Sequence, residues 1–257
     1  MPLRFLALKY LTLATLLASL VAMPVLAQED IAQEDVASAA TPAQTEQNRN
    51  NGLAAFTQGD CATAIPLLSN GIDEQTATDD LIVVTQVLSA CFASGGDIER
   101  ARVLMREIAP LIMADKGPDS LAFLDHNLTW AEFELDAGQN INAANRLAEG
   151  IAGYLTGDEL DADELMRAMA AYASLMAYDI QVDRFSRDFL RILDRSQQVT
   201  WTSEQTFADK LDALPIYEPN VLSLVTWAQA ALAATDGIEP FDDLLNAPLK
   251  VEPEDGN

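Results

Sequence analysis

GLAAFTQGDCATAIPLL (residues 52–68) is followed, 37 residues later, by SACFASGGDIERARVLM (89–105). Both stretches place a small residue (Gly52, Ser89) seven before a Gly-Asp pair (Gly59-Asp60, Gly96-Asp97). An alanine (Ala64, Ala101) follows five after the glycine, and a large apolar residue (Leu68, Met105) four further on. Phe56 and Phe92 stand shortly before the turn in each copy. Glycine tolerates the left-handed backbone that ends a helix, and the following aspartate accepts from free N–H groups of the next. A helix–tight turn–helix unit said twice is the mark of stacked helical repeats. AEFELDAGQNINAANRL (131–147) is a looser third copy, carrying Ala131, Gly138, Ala143 and Leu147.

Working outward, apolar residues recur at helical spacing almost throughout. Helices are expected over 45–58, from Asp60 through Ile72, and over 81–94, capped by Asp79 or Asp80. Others follow at 98–114, 120–136 and 140–155. Gly157-Asp158 should open a longer helix to about Tyr178, with more at 183–195, 203–213 and 219–235. Pro66 inside the second helix should kink it or delay its start. No strand-type alternation is present. The expectation is an all-α chain of about ten helices in five antiparallel pairs, stacked with a right-handed turn.

The ends read differently. Arg4 and Lys9 precede an apolar run from Tyr10 to Ala22, and small or aliphatic residues lead to Ala27. That is the pattern of a secretory signal peptide over 1–27, cleaved before Gln28. Residues 28–44 and the acidic tail 248–257 have too few large apolar side chains to offset ordering entropy, so both are expected to be disordered. Repeats are placed over 45–156, and further helical pairs or a cap over 157–247. The expected location is the periplasm or the exterior, with no membrane insertion after cleavage.

The formal charge is −25, and loss of Arg4 and Lys9 makes it more negative still. A field of that sign repels phosphate, which argues against nucleic acid as a partner. Two cysteines in an exported chain suggest one disulfide, Cys61–Cys91; the other reading is two small buried hydrophobes. His126 is the only histidine, so no second one completes a usual transition-metal set. No nucleophile motif or phosphate-binding glycine loop is present. Asp158, Glu159, Asp161, Asp163 and Glu164 are the densest acids, and their spacing suits a helix start better than a calcium loop. No catalytic residue, metal ligand or cofactor is assigned.

The doubled motif resembles the tetratricopeptide repeat. The match is close over 46–110 and weaker over 120–151. Turn spacings of 37 and then 42 residues exceed the family's usual 34, the excess lying in linkers 73–80 and 115–119. The resemblance implies that the first helix of each pair lines a concave groove. Groove positions are then Glu46, Arg49, Leu53 and Phe56; Val83, Gln86, Ala90 and Ser94; and Asp125, Glu132 and Asp136. Chaperone-adaptor members clamp a carboxylate terminus with asparagines where this chain has Leu53 and Ala90, so that clamp is not expected. A mixed apolar and acidic groove suits a peptide or protein carrying basic residues, in an adaptor or assembly role. A carboxylate-dependent glycan hydrolase and a purely structural module are the alternatives.

Overall fold

The computed structural model describes residues 41–235 and 238–247. The expected signal peptide, residues 28–40 of the linker and the tail 248–257 lie outside the described residues. Among the described residues the fold is all-α, 74% helical with eleven helices. It divides into two compact units at Leu111/Ile112.

The first unit opens with α1 (Pro42–Thr57). The helix starts earlier than the expected residue 45 because Thr41-Pro42-Ala43-Gln44 is a complete capping box with proline in the first turn. α2 (Cys61–Ser69) is capped by Asp60, whose Oδ1 accepts from the Thr63 backbone N–H at 3.0 Å. Those hydrogen bonds, the Thr63 side chain's first, hold the Asp60 carboxyl below its usual range. Pro66 lies within α2, and the helix stops at Ser69 rather than reaching Ile72; the missing proline donor weakens its last turn. A Cβ on Gly52 would lie 2.6 Å from Leu68 Cγ, and one on Gly71 would lie 2.8 Å from the Arg49 backbone. The small residue of the motif thus lets the large one seat directly against its partner helix.

α3 (Thr78–Ser94) is buried on nearly every side, from Leu81 to Phe92. Asp79 and Asp80 sit inside its first turn and not at the N-cap, which is Ala77 with no side-chain cap bond. They complement the helix dipole instead. Cys61 and Cys91 are joined, Cα to Cα 5.2 Å, pinning the start of α2 to the end of α3. Arg100, near the start of α4 (Ile98–Lys116), lies 4.1 Å over the Phe92 ring.

The second unit contains α5 (Leu121–Asp136) and α6 (Asn140–Tyr154), packed closely as a pair. Gly150 would place a Cβ 2.8 Å from Asn127 Cβ. After α6 the chain departs from expectation. Glu159–Leu160 (β1) pairs in parallel with Thr200–Trp201 (β2). Two-residue strands are too short to show alternation. Arg195 secures the same crossing, its Nε donating to Leu155 O at 2.7 Å and a terminal nitrogen to Gly157 O at 2.9 Å. Asp158 is therefore outside the next helix, and Asp161 caps it, accepting from the Asp163 and Glu164 N–H groups.

That helix, α7 (Ala162–Tyr178), is buried around its whole girth. It touches α6, α8 (Val182–Ser196), α9 (Phe207–Asp212), α10 (Val221–Ala233) and α11 (Glu239–Asn246), most extensively α10. α7 therefore packs against more than its antiparallel partner α8. Ala162, Ala168, Ala170, Ala171, Ala173 and Ala177 keep α7 thin, so neighbours approach from several directions. Phe185, Phe189, Tyr217 and Trp227 meet ring against ring beside it. α9 is shorter than expected because its capping box starts at Thr206. α11 was not anticipated.

The structure also reveals a fourth copy of the turn. Backbone bonds from Asp60 to Ala55, Asp97 to Phe92, Gln139 to Glu134 and Gln181 to Met176 span 2.7–3.0 Å. The residue before each donor is left-handed: Gly59, Gly96 and Gly138 at φ +77°, +84° and +70°, and Ile180 at +56°. Ile180 follows Gly138 by the same 42 residues that separate Gly138 from Gly96. Ala173, seven before it, and Phe185, five after it, are fully buried like their counterparts.

A β-branched residue in that backbone is strained by about 1–2 kcal/mol. Ile180→Gly should therefore raise stability by about 0.5–1 kcal/mol after the extra entropy of the unfolded glycine. Gly96→Ala, with open space around its Cβ, should lower it by about 1 kcal/mol. Urea unfolding midpoints at unchanged slope measure both. Replacing Cys61 and Cys91 together by alanine should cost about 3–4 kcal/mol for a closed loop of this length, read as a fall in the same midpoint that reducing agent reproduces in the parent.

Candidate binding site

The expected groove residues fall into the two units and are described unit by unit. In the first, Glu46 on α1 is exposed, and Leu53 and Phe56 are half-buried. Arg49 forms an ion pair with Asp80 of α3 at 2.9 Å and reaches Gly71 O at 3.5 Å. It thus ties α1 to the turn after α2 and to α3, a role set by packing within the unit. Val83 is buried, while Gln86 and Ala90 are half-buried. Gln86 has its Oε1 enclosed without a hydrogen-bond partner. Ser94 is exposed, donates to Cys91 O and lies 3.7 Å from Cys61 Sγ, against the disulfide.

In the second unit Asp125, Glu132 and Asp136 share a face of α5, being spaced by seven and four residues. A residue not singled out from the sequence meets them. Arg167 of α7 bridges Asp125 and Glu164, each at 3.4 Å. Burial pushes the half-buried Glu132 up to about 7. Arg167 opposes that rise, and Asp136 and Asp125 add to it. Burial also raises Asp136. The strip therefore holds more carboxylates than cations, and Glu132 carries its proton until near neutrality. Arg167 had no motif to announce it; it is found only once α7 lies beside α5.

His126 and Thr129 on the same helix are buried, with their side-chain polar atoms lacking hydrogen-bond partners. Burial, with Arg146 nearby, lowers His126 to about 3, so the ring is neutral. Glu134, also buried, accepts from Trp130 Nε1 at 3.1 Å and from Asn142 Nδ2 at 3.4 Å. The acids at 158–164 serve the fold: Asp161 caps α7 and Asp163 pairs with Lys210.

A separate concavity of about 470 Å³ opens between the α5–α6 and α7–α8 turns. Gln139, Asn140, Ile141, Asp179, Gln181 and Arg184 line it. Gly138, marked in the sequence as a turn residue, lines it too, and the 42-residue step from it to Ile180 locates the second wall.

No protein-family model matches this chain, and no curated protein matches its sequence. No helix among the described residues is long and apolar enough to cross a membrane.

Glu132 gives a pH signature with a definite sign. Its folded pKa, about 7, lies above the ordinary carboxylate value of 4.5. Its contribution to stability is present below the unfolded value and is lost as pH rises through about 7. Glu132→Gln should remove that loss and make the protein more stable than the parent at pH 8 by about 1–3 kcal/mol. Thermal or urea unfolding across the pH range tests this; equal pH dependence in the two proteins would count against it.

Proposed function

We propose that this chain is an exported tetratricopeptide-like binding module that holds another protein or peptide in the cell envelope, as an adaptor or assembly factor. The carrying observation is the turn made four times with one hydrogen-bond pattern and a small residue seven positions before it. Repeated helix pairs present a row of side chains along their first helices, which suits an extended partner. A disulfide linking two successive helix pairs agrees with an oxidising compartment.

The α5 strip favours a partner with basic residues. Asp125 and Glu164 are engaged by Arg167, whereas Glu132 and Asp136 are both raised by burial. A lysine or arginine brought to them would favour their ionised form.

Fluorescence anisotropy with labelled extended peptides, basic against sequence-scrambled acidic, tests the proposal. Basic peptides should bind, more weakly as salt rises. Combined Glu132→Lys and Asp136→Lys should weaken them by about tenfold or more. Acidic and basic peptides binding alike, or wild-type affinity in the double variant, would overturn it. Mass spectrometry of the mature protein should find Gln28 at its amino terminus.

A further inference from the structure

The concavity between the α5–α6 and α7–α8 turns is distinct from the α5 carboxylate strip and carries its own chemistry. Its wall contains one carboxylate and one guanidinium. Asp179 accepts from Asn140 Nδ2 at 3.2 Å, and Arg184 donates to Asn145 Oδ1 at 2.8 Å. Arg184 also lies 5.8 Å from the Tyr172 ring. The two asparagines sit five residues apart on α6, so that helix holds each charge by a separate side chain. A guanidinium has five N–H donors in a fork, more than these contacts occupy.

Local backbone polarity matches this division. The cavity lies where α6 and α8 begin and where α5 and α7 end. Gln139 and Gln181 are the N-caps of α6 and α8, and neither makes a side-chain cap bond. In the earlier turns Asp60 and Asp97 do cap their helices. Asp179 stands at the C-cap of α7, where a negative charge is locally unfavourable. Next to it, Ile180 holds a left-handed backbone that glycine provides elsewhere in the fold. Local stability is thus given up at two consecutive residues beside one cavity, a pattern that points to function. Ile141 contributes an apolar side chain that is 70% exposed, and Met176 a buried one.

We propose that this cavity binds a small zwitterion, an α-amino acid with an apolar side chain. Arg184 takes the carboxylate, Asp179 takes the ammonium, and Ile141 with Met176 receives the aliphatic part. An anion alone is repelled by Asp179 and a cation alone by Arg184, so each charge excludes one class of simple ion. A volume of about 470 Å³ accommodates such a molecule with bridging water.

Isothermal titration of the full mature chain with L-leucine and L-methionine tests this, with isoamylamine and 4-methylpentanoate as single-charge controls. Ile δ1-methyl NMR reports the site through Ile141. The amino acids should bind and shift the Ile141 methyl, and each control should bind at least about tenfold more weakly. Arg184→Gln and Asp179→Asn should each reproduce that loss while circular dichroism shows the fold retained. Should one variant fail to fold, the other carries the test. No heat and no Ile141 shift with any of the twenty L-amino acids would overturn the proposal. So would equal binding of zwitterion and amine, or unchanged affinity in a folded variant. The peptide measurements on the α5 strip are independent of this result.

Discussion

The left-handed residue that ends the first helix of each pair is the constraint on which the rest depends. Its backbone lets the N–H three positions past the helix reach back to a carbonyl five residues earlier, and the chain reverses within three residues. A reversal that tight sets the two helices side by side, and α1 with α2 and α5 with α6 pack closely. Contact at that distance then demands a small residue at the crossing. Gly52, Ser89, Ala131 and Ala173 supply it, all of them buried. Gly59, Gly96 and Gly138 meet the backbone demand without strain, and Ile180 meets it at a cost the surrounding core sustains.

The two units use that device under different conditions. The first is short and relies on extra ties: the Cys61–Cys91 bond, Arg49 reaching Asp80 and Gly71, and Arg100 on Phe92. The second is built around a helix with no exposed face. α7 is thin because it is rich in alanine, and the aromatic group of Phe185, Phe189, Tyr217 and Trp227 fills the wider space beside it. A helix enclosed in this way can bring side chains from several elements to one place. Arg167 reaches the acids of α5, and Asp179 shares a cavity wall with Asn140.

Much of the fold was legible in the residues because its signals are local. Gly-Asp at a turn and apolar residues at helical spacing each act within a few positions. Errors arose where a local signal was weak or had a competitor. Thr41-Pro42-Ala43-Gln44 lay in a stretch too polar to suggest order, yet its capping box starts α1. Asp79 and Asp80 looked like caps and proved to be first-turn acids. Asp158 gave way to Asp161 because the chain first pairs Glu159–Leu160 with Thr200–Trp201. The fourth turn was hidden by one residue, Ile180, whose backbone conformation is not written in its side chain. Of the site, Asp125, Glu132 and Asp136 could be named in advance; Arg167 and the cavity wall could not.

The sequence by itself determined the helical class, the first three turns, the acidic balance and the two cysteines that could meet. Those properties follow from single residues and short spacings. Tertiary structure alone decided that α7 would be the hub, that Glu132 would keep its proton to about pH 7, and that Asp179 and Arg184 would face one cavity. Each of these depends on which helices lie side by side. Burial and charge proximity are properties of that arrangement, and no spacing along the chain encodes them.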